Sequence, residues 1–179
     1  RNVNGSNDRT INFENNGVFF PTTTNSSAIE LSTTIGNSAS NNLVIGYTSV
    51  LDDRDPIGQD FPYMIIDDGE AQIRLGSEQF STANQLDQKI CPITNNFKLY
   101  RGKHTLTFGT HNEFYDIYNL FVRQNFGVYE YDSLSQVLNE LPASNYERSY
   151  SLVDEITGDG SAAGSAFNAI QFGLYAQDE

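Results

Sequence analysis

The chain has 179 residues, enough for one domain of ordinary size, and its 23 acidic against 10 basic side chains give a net charge of −13. This balance argues against nucleic-acid binding and against docking on anionic lipid, because both need clustered Lys and Arg. The single cysteine, Cys91, excludes an internal disulfide and a cysteine-based zinc site, and the lack of an 18-residue apolar run excludes a transmembrane helix.

The ends of the sequence suggest a piece of a longer protein. It opens on the polar run Arg1-Asn2-Val3-Asn4-Gly5 and closes on Phe172–Glu179, which has the pattern of a strand broken in mid-course. A trimmed soluble β domain is the alternative. Residues 1–27 are polar and rich in Asn and Thr, so we expect a loop or the end of a preceding strand there.

Two strands follow, at about 28–36 and 42–50. In the first, Ile29, Leu31 and Ile35 alternate with polar residues, and period-2 alternation is typical of a strand with one buried face. The second repeats the pattern after the short polar turn 37–41.

A long acidic loop is predicted over 51–80, punctuated by Pro and Gly. Long connections are usually functional or disordered. Its aspartates could supply oxygen ligands for Ca²⁺ or contact a cationic ligand, although their spacing does not match an EF-hand and a solvated acidic loop is the simpler interpretation. The six candidate ligand-binding residues are Asp52, Asp53, Asp55, Asp60, Asp67 and Asp68.

The clearest hairpin joins strands at about 84–100 and 104–118 through a tight turn at 101–103. Pro92 lacks a backbone N–H, so we expect a bulge or irregular pairing around it. The second strand places Leu106, Phe108 and Phe114 on one face.

The two histidines, His104 and His111, lie on opposite faces of one strand and cannot share a metal. We expect His104 at the turn and His111 on the mixed polar face with Glu113, as a hydrogen-bonded pair rather than an acid–base pair. Cys91 lacks neighbours that would activate a thiol. Catalytic sequence motifs are absent, the predicted class is non-enzymatic, and the Gly158-Asp159-Gly160 triplet is only a weak Ca²⁺ signal.

A second long loop is predicted over 119–165. Within it, apolar residues at helical spacing indicate a short helix at 132–141, capped by Asp132 or Ser133 and stopped by Pro142. Tyr146–Val153 has the pattern of a short strand. The last strand is predicted at 166–178.

The connections between strands run short, long, short, long. In an antiparallel up-and-down meander, this order puts the short turns at one rim and the long loops at the other, as in outer-membrane barrels. The predicted fold is therefore all-β, part of a transmembrane β-barrel that occupies 28–179. Aromatic residues near the strand ends would form interfacial girdles. They are Tyr47, Tyr100, Phe114, Tyr118 and Tyr175.

Three stretches resemble the barrels of TonB-dependent receptors from Bacteroidetes, above all Oar-like receptors, which carry a carboxypeptidase-regulatory-like domain. They are the hairpin Tyr100–Phe121, the strand Asn42–Thr48 with the loop Asp52–Pro56, and Ala166–Glu179, which ends in Gln-Asp-Glu. The resemblance implies a 22-stranded barrel in the cell outer membrane, in contact with lipid. It also implies a plug and a TonB-binding box, neither of which this sequence contains, and leaves a surface lipoprotein partner possible.

The expected function is nutrient uptake, with the nutrient left open among siderophore, glycan, peptide and protein. The main alternative is a soluble extracellular β-sandwich for adhesion or glycan binding, since a sandwich shows the same alternation. A secreted hydrolase is a third reading. The need for detergent would separate the barrel from the sandwich.

Overall fold

The computed structural model describes residues 9–69, 71–153 and 160–179. The fold is all-β, as predicted, with 62% strand against 7% helix. The strands are β1 (Thr10–Asn12), β2 (Val18–Phe19), β3 (Thr22–Ile35), β4 (Ala39–Asp53), β5 (Asp55–Pro56), β6 (Tyr63–Asp67), β7 (Gln72–Leu75), β8 (Asn84–Arg101), β9 (His104–Phe121), β10 (Val128–Tyr131), β11 (Asn145–Glu147) and β12 (Ser165–Asp178). One α-helix in this part of the chain, α1, spans Leu134–Leu138. None of the described helices is long and apolar enough to cross a membrane.

The chain divides into two compact units, which are described separately. Unit 1 is drawn from Arg1–Thr22, Asp52–Leu86 and Asn119–Ser165. Unit 2 is drawn from Thr23–Leu51, Asp87–Tyr118 and Ala166–Glu179 and holds most of a large sheet.

The large sheet is an open, five-stranded meander in the order β12-β9-β8-β4-β3. Backbone hydrogen bonds define its antiparallel pairing. Tyr100 N donates to Ser38 O at 2.8 Å. Thr105 N donates to Glu179 O at 2.7 Å, and Glu179 N donates to Thr105 O at 3.1 Å, which is the reciprocal pattern of antiparallel strands. The two tight turns join neighbouring strands at the same end, so the meander prediction is confirmed. The described residues form no closed barrel.

The first strand of the meander is longer than the sequence indicated. β3 begins at Thr22 rather than at residue 28, so 22–27 are not loop. These residues are polar on both faces and carry no alternation signal. Pairing with β4 extends the strand instead, as the 2.8 Å hydrogen bond between the Ser26 and Thr48 hydroxyls indicates.

Of the bulge or irregular pairing expected at Pro92, the bulge does not form, although Pro92 supplies no N–H to the ladder. The pairing of β4 with β8 has the same register on both sides of this residue, from Ser38 opposite Tyr100 to Arg54 opposite Asn84. Pro92 lies opposite Gly46, where a Cβ atom would come within 2.9 Å of its ring. The glycine leaves room for the pyrrolidine ring, and the strand continues without interruption.

Unit 1 contains a second sheet in the order β1-β7-β6-β10-β11. β10 runs parallel to β6 and antiparallel to β11, so the sheet is mixed. Its apolar core includes Tyr63, Ile66 and Val128, all nearly inaccessible to solvent. The connections predicted as long loops at 51–80 and 119–165 thus carry ordered strands, a correction to the sequence reading.

The predicted short helix is confirmed as α1. The Ser133 hydroxyl caps it by accepting a hydrogen bond from Gln136 N at 3.2 Å, and Pro142 follows the helix end. The strand predicted at Tyr146–Val153 is only partly right, because strand structure covers Asn145–Glu147 and stops there.

Candidate functional surfaces of the large sheet

One side of the large sheet, called here the apolar face, carries large hydrophobic side chains that remain exposed. It comprises the odd-numbered residues of β3, β4 and β8 and the even-numbered residues of β9 and β12, since successive side chains alternate between faces. Ten large hydrophobic side chains on this face are each 42–76% exposed among the described residues. They are Ile29, Leu31, Ile35, Ile45, Tyr47, Phe108, Phe114, Ile170, Phe172 and Leu174. A continuous apolar surface of this kind is typical of a site that contacts protein or membrane.

The apolar face forms a band with polar edges. Ile170, Phe114 and Tyr47 line a groove of about 310 Å³ together with Cys91, and the next row beyond them is polar: Asn168, Asp116 and Lys89. The opposite edge is marked by the exposed pair His104 and Asp178, whose Nδ1 and Oδ2 atoms lie 3.0 Å apart. From Ile170 to Asp178 a strand rises about 26 Å at roughly 3.3 Å per residue.

The other side, called here the polar face, carries a row of polar contacts along β9. The Thr94 hydroxyl lies 2.7 Å from His111 Nδ1, and His111 Nε2 lies 3.5 Å from a Glu113 carboxylate oxygen. The Tyr115 hydroxyl donates to the same carboxylate. His111 and Glu113 therefore share the face predicted for them, and both are held by neighbours on the sheet.

Two tyrosines expected in the aromatic girdles point to the polar face instead. The Tyr100 hydroxyl lies 2.9 Å from the Ser40 hydroxyl, and the Tyr175 hydroxyl donates to Asn96. The Tyr175 ring passes over Gly109, where a Cβ atom would lie 2.2 Å from ring carbon Cζ. The alternation of side chains along each strand decides which face a tyrosine occupies. Its closeness to a strand end does not. Tyr47, Phe114 and Tyr118 lie on the apolar face by the same alternation.

The acidic candidates do not gather into a metal site in the described residues, where no three His, Cys, Asp or Glu side chains come together. They are distributed over separate elements. Asp52 and Asp53 end β4, Asp55 starts β5, Asp60 follows it, and Asp67 and Asp68 lie at the end of β6.

Two of these aspartates have structural roles within unit 1. Asp67 accepts a hydrogen bond from Gly69 N at 3.2 Å, which stabilises the turn after β6. Asp68 accepts one from Leu134 N at 3.4 Å and so connects the end of β6 with the start of α1. Gly158 and Asp159 of the predicted Ca²⁺ triplet lie outside the described residues.

Gln124 connects separate segments of unit 1, and no sequence pattern predicted this role. Its backbone has φ of 55°, and its buried side chain donates to Gln79 Oε1 (3.3 Å) and to Glu147 Oε2 (3.0 Å). Hydrogen bonds from Gln124 and Asn145, with the charge of Arg123, lower the pKa of Glu147 below its usual range. In the core of unit 1, burial raises the pKa of the Tyr63 hydroxyl.

A scan against protein-family models, a search of curated proteins and a search of solved structures each found no match to this chain. The geometry of the two faces therefore carries the functional inference.

Proposed function

We propose that this chain is part of the barrel wall of a TonB-dependent outer-membrane receptor that takes up a nutrient. The apolar face contacts lipid acyl chains, and the polar face lines the interior of the barrel. The observation that carries the proposal is the exposed apolar face of the five-stranded meander.

The dimensions of the band support a membrane location. Outer-membrane barrels present an apolar belt about 25 Å tall, built from strands that tilt by roughly 35–45°. The nine residues from Ile170 to Asp178 rise about 26 Å along the strand, or about 20 Å along the membrane normal after tilting. The band is therefore close to the height of such a belt.

The polar face supports an interior role. Its side chains satisfy one another across strands: Asn42 donates to Glu30 Oε1 at 2.5 Å and to the Ser32 hydroxyl at 2.9 Å. A polar group left unpaired in hydrocarbon costs several kcal/mol, so a face rich in polar groups suits a water-filled lumen better than lipid. The role proposed for these strands is structural and needs no catalytic group.

The exposed band also separates this proposal from a soluble sandwich, in which the apolar face packs against a second sheet. Size-exclusion chromatography with light scattering, in buffer and in detergent micelles, tests the difference. The chain is expected to aggregate in buffer and to form a single species in micelles. A folded monomer in detergent-free buffer would contradict the proposal and favour the sandwich.

A further inference from the structure

The β8–β9 hairpin turn brings two cationic side chains and a histidine together in an acidic chain. Arg101, Lys103 and His104 lie within four consecutive residues around Gly102, and all are exposed. These three residues are called here the basic turn. Neither Arg101 nor Lys103 takes part in any ion pair formed among residues 9–69, 71–153 and 160–179. No described residue neutralises these two charges, so they can meet an external anion, whereas His104 is held by Asp178.

The basic turn begins where the apolar band ends. Phe97, Leu99 and Arg101 follow one another on the apolar face of β8, and Leu106 and His104 do the same on β9. Long cationic side chains at such a boundary keep their stems on apolar surface and place their charged groups in the headgroup layer.

We propose that the basic turn binds the phosphate groups of anionic phospholipid at the membrane surface. This inference rests on the proposed function, since it requires the neighbouring band to lie in lipid. The Arg101 guanidinium can grip two phosphate oxygens at once, and the Lys103 ammonium adds a point charge. The acyl chains of the same lipid continue along the apolar face.

The net charge of −13 predicts no docking on anionic lipid. The acidic residues are unevenly distributed along the chain, however, and this leads us to the opposite proposal for the basic turn. Most of the acidic residues belong to the segments of unit 1. In unit 2, Glu30 and Glu113 lie on the polar face, and the acids close to the turn are Asp178, which ends β12, and Glu179, which follows it. Asp178 is engaged by His104, and Glu179 accepts a hydrogen bond from Gln177.

Flotation of the whole chain with two kinds of vesicle tests the proposal. One is pure phosphatidylcholine, and the other contains one fifth phosphatidylglycerol. Each basic side chain near an anionic surface strengthens binding about fivefold, so the double variant R101Q/K103Q should bind the phosphatidylglycerol vesicles about 25-fold more weakly than the parent chain. A few hundred millimolar salt should remove most of this difference.

The matched control is R9Q/K98Q, which removes one Arg and one Lys from outside the basic turn. Its binding should change less than threefold. Equal parental binding to both vesicles, or equal losses in the two double variants, would overturn the lipid site while leaving the proposed membrane role intact. Failure to bind either vesicle would overturn both.

Discussion

A single charge at mid-height of the apolar band gives a graded test of lipid contact. Leu174 lies four residues from each edge of the band, about 13 Å along the strand, and is 74% exposed. At the midplane of a bilayer, arginine on the lipid face of a barrel costs about 2–4 kcal/mol. Leu174→Arg should therefore lower partition of the chain into vesicles by about 30- to 700-fold.

The assay is equilibrium flotation with phosphatidylcholine vesicles, read as the ratio of bound to free chain. Gln171→Arg is the control, because residue 171 lies on the same strand but on the polar face, and its partition should change by less than about threefold. In water, an exposed Leu→Arg change is usually neutral to within about 0.5 kcal/mol. Equal partition of Leu174→Arg and the parent chain would refute the assignment of this face to lipid.

Three further predictions concern unit 1. Gly76→Ala should destabilise it by about 2 kcal/mol or more in urea titrations, because φ is +86° and the new Cβ would lie 2.0 Å from Pro62 O; unchanged stability would contradict this packing. Ser133→Ala should speed amide hydrogen exchange at Gln136 several-fold through loss of the α1 cap, and unchanged exchange would contradict the cap. Because the pKa of Glu147 is depressed in the folded state, its carboxylate should stabilise unit 1 above pH 4.5 and lose this effect as the pH falls further. Proteolysis assays from pH 6 to 3 should show this dependence, and Glu147→Gln should weaken it.

The alternation of side chains was sufficient to predict the meander. Leu106, Phe108 and Phe114 identified one face of β9, and His111 and Glu113 identified the other. The tight turns and the capped helix were also predictable, because their chemistry is local.

Other features depend on contacts between distant residues and leave no local pattern. Tyr63–Asp67 forms a strand by pairing in parallel with Val128–Tyr131, far along the chain. The continuous pairing at Pro92 depends on Gly46 opposite it. The pairing register also determines which polar residues form the edge of the band. The same register brings the Tyr175 ring over Gly109. These features follow from which residues lie opposite one another across strands.

The six aspartates illustrate the limit of composition as a guide to sites. Their abundance in one segment raised the possibility of Ca²⁺, but no three of these carboxylates come together in the described part of the chain. A metal site needs several oxygen ligands to converge on one point, and closeness in sequence does not bring that about.

The single cysteine provides the most direct test of the central claim, because Cys91 lies on the apolar face between Tyr47 and Phe114. An environment-sensitive fluorophore attached there should be quenched by brominated acyl chains and protected from aqueous iodide. The variant C91S/T94C moves the thiol to the polar face of the same strand and should show the reverse. Quenching of the Cys91 label by iodide alone, in chain bound to bilayers, would contradict the assignment of this face to lipid.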